Sequence, residues 1–134
     1  KNNEYQPLYY NSHAFGGRMD MFGWGNLTYF NVGASVAPSD DLEVGLALFG
    51  FTKSKENGAV NTATNPNHRQ TFAGLANKSD LGMELDVFAV KKYGSSFMID
   101  AHLGAFMPGS AFKDATAKKE ATIMQVMVAG TMMF

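Results

Sequence analysis

The last fourteen residues, ATIMQVMVAGTMMF, alternate. Counting back from Phe134, Met132, Gly130, Val128, Val126 and Met124 share one face, while Met133, Thr131, Ala129, Met127, Gln125 and Ile123 share the other. Successive side chains of an extended chain point to opposite sides, so a period of two belongs to a strand; helical apolar positions recur every three to four residues. The first row is apolar apart from one glycine and runs down to a bare terminal aromatic. The second row is mixed. A strand with two such faces stands between unlike surroundings.

Further segments repeat the pattern. Leu27 to Val36 sets Phe30, Val32, Ala34 and Val36 against Tyr29, Asn31, Gly33 and Ser35. Asp41 to Lys53 sets Leu42, Val44, Leu46 and Leu48 against Glu43, Gly45, Ala47, Phe49, Phe51 and Lys53. Leu81 to Lys92 opposes Met83, Leu85, Val87 and Ala89 to Glu84, Asp86, Phe88 and Val90, and Ser96 to Pro108 opposes Phe97, Ile99, Ala101, Leu103, Ala105 and Met107 to Met98, Asp100, His102, Gly104 and Phe106. With the closing strand, this predicts an all-β chain of about five antiparallel strands.

The connections alternate in length. Pro38 to Asp41 and Lys92 to Ser95 read as tight turns, whereas residues 54–80 and 109–121 are long and polar. Transmembrane β-barrels have this asymmetry, with short periplasmic turns and longer extracellular loops. If Phe134 ends on the periplasmic side, both tight turns fall there too, a consistency that the strand assignment did not require. A lipocalin-like soluble barrel would carry a strongly charged outer row, and neither row here is one. The terminal segment then resembles the closing strand of a bacterial outer-membrane barrel. That likeness makes Val126, Val128, Met132 and Phe134 the insertion signal read by the barrel-assembly machinery.

Composition narrows the alternatives. No stretch approaches the roughly 20 apolar residues of a membrane-crossing helix, but a crossing strand needs only about 9–11. Cysteine is absent, which removes disulfides, thiolate metal sites and cysteine nucleophiles. A net charge of -1 argues against nucleic acid as a partner. The start shows no basic n-region followed by an apolar core, so the chain reads as a mature protein or a piece of one. Residues 1–26 are rich in aromatics and glycine without alternation, predicting an ordered loop or inward-folded segment that leads into strands over 27–134.

Two stretches, QPLYYNSHAFGGRMDMFGWGNLTYFNVGASV and LGMELDVFAVKKYGSSFMIDAHLGAFMPGSAF, resemble the C-terminal part of alginate-export-type porins. The likeness is carried by Glu84-Leu85-Asp86, the turn at Tyr93-Gly94, and Phe106-Met107-Pro108-Gly109. It implies an outer-membrane channel for hydrophilic solutes, anionic saccharides among them. Members are much larger barrels with a positively charged path, and this chain departs from them in length and charge. Five strands cannot close a spanning barrel, because an open edge in lipid leaves unpaired amides, each costing several kcal/mol. The chain is therefore expected to be the C-terminal part of a larger barrel, with the bilayer and the remaining strands as its partners. The rival is a compact eight-stranded barrel in which residues 1–26 and 54–80 hold three more strands.

Glu43, Lys53, Glu84, Asp86, Asp100 and His102 fall on the expected lumen face, where they either tune ion selectivity or simply satisfy one another. Arg18, Lys53, Lys55 and Arg69 are cations placed to meet an anionic solute at the extracellular mouth. Phe30 and Phe112 at one end, and Tyr93 and Phe97 at the other, are expected at the headgroup level. Glu84 and Asp86 point the same way from one strand, which is unsuited to a glycosidase pair facing each other across a cleft. No catalytic triad order, cofactor motif or metal-ligand spacing stands out, so the expectation is a channel without enzymatic activity. A structural or adhesive barrel plugged by Phe49, Phe51, Phe88, Phe106 and Met127 is the alternative.

Overall fold

Alternating β-branched, aromatic and small residues give long strands, and the short polar links between them allow consecutive strands to pair. The computed structural model describes residues 16–60, 75–112 and 121–134; residues 1–15, 61–74 and 113–120, with Arg69 among them, lie outside the described residues. Five strands, β1 (Leu27–Ser39), β2 (Leu42–Lys53), β3 (Asp80–Tyr93), β4 (Phe97–Pro108) and β5 (Ile123–Met132), form one antiparallel meander in chain order. A single 3-10 turn, η1 (Ser110–Phe112), follows β4. The strands run to 10–14 residues, enough to cross a bilayer.

The turns are tighter than the sequence predicts. A register step after Val36 lets Ser39 pair with Leu42, leaving Asp40 and Asp41 as the β1–β2 turn. Pairing between β3 and β4 continues to Tyr93 and Phe97, leaving Gly94 to Ser96. These two turns mark one end of the sheet, and the longer connections lie at the other, the loop end. At the β1–β2 turn Asp41 accepts hydrogen bonds from the Lys91 ammonium and the Ser39 hydroxyl.

Register keeps the two rows continuous across the sheet. Val32 pairs with Leu48, Leu48 with Leu85, Leu85 with Ala105 and Ala105 with Met124; one step along, Gly33, Ala47, Asp86, Gly104 and Gln125 make the corresponding inner row. Among the described residues nothing packs on the apolar row: Val32 is 63% exposed, Val87 50% and Val126 74%. The other face carries the core. Phe49, Phe51 and Phe106 from the strands bury against Met19 and Phe22 from residues 16–25, with Leu81, Val60 and Ala111 completing the cluster. Leu81 joins it because a register step between Phe51 and Thr52 turns it inward from the end of β3.

Candidate channel wall

Glu84 and Asp86 stand two apart on β3, on the same side, and both are fully buried. What covers them is the chain just before β1. The Met19 N–H donates to Glu84 Oε1 at 2.9 Å, and the Arg18 N–H to Asp86 Oδ2 at 2.9 Å. Carboxylates taken out of water need such donors, because an uncompensated buried charge costs several kcal/mol. Gly17 makes the approach feasible. It has φ +93°, and a Cβ there would stand 2.4 Å from Glu84 Oε1.

The Arg18 side chain continues towards the turn end. Its guanidinium lies 4.0 Å from the centre of the Phe88 ring and 3.2 Å from Asp100 Oδ2 on β4. The planar cation is thus stacked on one strand and paired on the next. At the loop end, Phe22 meets Phe51 at 4.9 Å and Phe106 at 5.4 Å between ring centres, and Trp24 meets Tyr29 at 5.5 Å. A polar contact near mid-strand and an aromatic one above it hold the same short segment.

The other expected wall residues divide into covered and open. His102 is buried, with Nε2 3.5 Å from Gln125 Oε1 on β5. Lys53 lies on the inner face but does not line open space. Its ammonium donates to the Glu56 carbonyl at 3.2 Å and the Ala76 carbonyl at 2.9 Å, tying together the two described ends of the β2–β3 loop. Glu43 is exposed near the turn end. Arg18, expected at the outer mouth, sits instead on the inner face. Sequence reasoning missed it as a wall residue because a cation in an aperiodic, glycine-rich stretch carries no face assignment.

Among the aromatics, Tyr93 and Phe97 form a directly paired couple at the turn end, 5.8 Å between ring centres. Phe30 is on the apolar face near the loop end, with its ring over Gly50. Phe112 departs from the expected interfacial position. The Asp80 carboxylate accepts the Ser110 N–H at 2.9 Å, and the short turn η1 then directs Phe112 against Phe106 and Phe22. Val126, Val128 and Met132 lie on the apolar face of β5, and Phe134 follows fully exposed.

The arrangement is a sheet with one apolar, unpacked face and one face bearing sheltered charges. No helix among the described residues is long and apolar enough to cross a membrane, and crossing by strands is the geometry that suits this sheet. No curated protein matches the chain. Residues 1–125 match the family described as alginate export. With nearly the whole chain covered, and with five antiparallel strands sorted into an apolar and a polar face, the chain belongs to the alginate export family, a family of outer-membrane β-barrel transport channels.

Proposed function

We propose that this chain forms a sector of the wall of an outer-membrane channel through which hydrophilic solutes pass by diffusion, acidic saccharides among them. The observation that carries the reading is the sorting of the sheet. Val32, Val87 and Val126 face outward, exposed, while Glu84, Asp86 and His102 lie on the opposite side. The bilayer is the partner that suits the outer row, because lipid leaves exposed valine and leucine unpenalised. The tight turns face the periplasm and the long connections the exterior. β1 and β5 each have one unpaired edge among the described residues, and further strands close the barrel there.

Charge selectivity from this sector is weak. Its inner face sets the carboxylates of Glu43, Glu84, Asp86 and Asp100 against Arg18, Lys92 and the loop-bound Lys53, nearly balancing. An anion-attracting field, if the channel has one, comes from other strands. Planar-bilayer recording of the intact folded protein tests the proposal. Discrete single-channel steps with a small reversal potential in a salt gradient are expected, and folded protein that gives no steps overturns it. The second reading, a structural barrel with a filled interior, is favoured by the aromatic cluster at the loop end. It predicts folded protein without conductance.

A further inference from the structure

Residues 16–25 cover only part of the inner face. From the loop end inward, Phe22 lies against Phe51 and Phe106, Met19 against Gly104, and Arg18 over Phe88. The rows from Gly82 to Phe88 span about 20 Å at the usual strand rise. Beyond them, towards the tight turns, Glu43, Lys92, Ala129 and Thr131 on the same face are exposed. Over β2–β4 the segment therefore fills the loop-end half of the wall's depth and leaves the turn-end half open.

Three features show that the contact is built into the sequence. Two backbone N–H groups meet two buried carboxylates. Gly17 stands where any side chain would strike Glu84. The aromatic anchor Phe22 is 1% exposed although it belongs to no strand. At the inner tip, the Arg18 and Asp100 side chains remain 22% and 26% exposed, so this pair is the charged surface that the segment presents to the passage.

We propose that residues 16–25 are the constriction element of the channel, docked on β2, β3 and β4, and that this segment sets the cross-section open to solute. The inference rests on the channel reading above. A solute passes beside the segment's free side, meeting Arg18 and Asp100 where the narrow half gives way to the open one.

The absence of cysteine makes a disulfide test clean. A Cβ added at Gly104 would lie 2.4 Å from Met19 Cγ, where the sulfur of a Met19→Cys side chain would stand. Met19→Cys with Gly104→Cys should oxidise readily in the intact folded protein, and the conductance of the oxidised pair is the reference for a docked segment. Gly17→Ala should displace the segment and raise single-channel conductance about two-fold or more, since conductance follows pore radius. Phe22→Ala, which alters no strand residue, is the second variant and should act in the same direction. Oxidising the cysteine pair in the Gly17→Ala background should bring the conductance back to that reference value.

Heat-modifiable gel migration identifies which variants are folded. Wild-type conductance in folded Gly17→Ala and folded Phe22→Ala overturns the constriction while leaving the channel intact. A cysteine pair that stays reduced in folded protein, yet reacts once unfolded in urea, overturns the docking. Wild-type protein that conducts nothing defeats the channel reading and the constriction with it, while disulfide formation still reports whether the segment is docked.

Discussion

Along β3, neighbouring residues have opposite fates. Leu85 and Val87 stand 39% and 50% exposed, while Glu84 and Asp86, alternating with them, are at 0%. A strand in a water-soluble sheet would be sorted the other way. The inversion shows that exposure by itself does not name an environment. The apolar side is open because none of the described residues covers it, a sorting that suits a lipid surface. The carboxylates are sealed because residues 16–19 bring them two N–H donors.

The sharpest way to break that contrast is to place one charge on each face of the same strand. Val32 and Asn31 are adjacent on β1 and both exposed, Val32 outward and Asn31 inward. Val32→Arg should destabilise the folded barrel by about 2–4 kcal/mol in urea titrations from lipid vesicles, whereas Asn31→Arg should stay within about 0.5 kcal/mol. Equal effects from the two would remove the case for a lipid-facing row. A smaller effect tests the sealed side. Glu84→Ala leaves the Met19 N–H unpaired and should cost the docked segment about 1–3 kcal/mol, read as roughly 10–100-fold faster hydrogen exchange at Met19. Unchanged exchange there would show that the carboxylate is not the anchor.

The smallest effect belongs to the turn end. The Lys91 ammonium, and after it the Ser39 hydroxyl, hold the Asp41 carboxyl below the usual carboxylate range. A carboxyl depressed in the folded state favours folding above its unfolded pKa, and that contribution is lost as the pH falls through its lowered folded value. Asp41→Asn should therefore lower stability slightly at neutral pH and converge with the wild type in acid, flattening the acid limb, a small effect as befits a solvent-exposed pair. A large change at neutral pH would mean that the turn carries more than its own geometry.

Much of this was legible because a strand's period of two assigns a face to every residue at once. Glu84, Asp86, Asp100 and His102 fall on one side by counting alone, and the pairings through Asp86, Gly104 and Gln125 keep that side continuous. What counting does not give is the third dimension above a face. Arg18 and Met19 meet β3 through contacts 65–68 residues apart in sequence, in a stretch with no period, and no local pattern encodes such a meeting. Lys53 and Phe112 show the same limit. Each sits at a strand end or just past it, where a loop carbonyl or the Asp80 carboxylate decides the direction. Alternation predicts position on the sheet, and only the neighbouring chain decides whether that position is open.

The long sequence separation between the docked segment and its carboxylates orders events in time. Residues 16–25 precede β1, yet their partners on β3 and β4 lie far downstream. The segment's polar anchors are complete only when the later hairpin has formed. On the proposal that this segment is the constriction, the passage takes its final cross-section only after β3 and β4 have paired beneath residues 16–25.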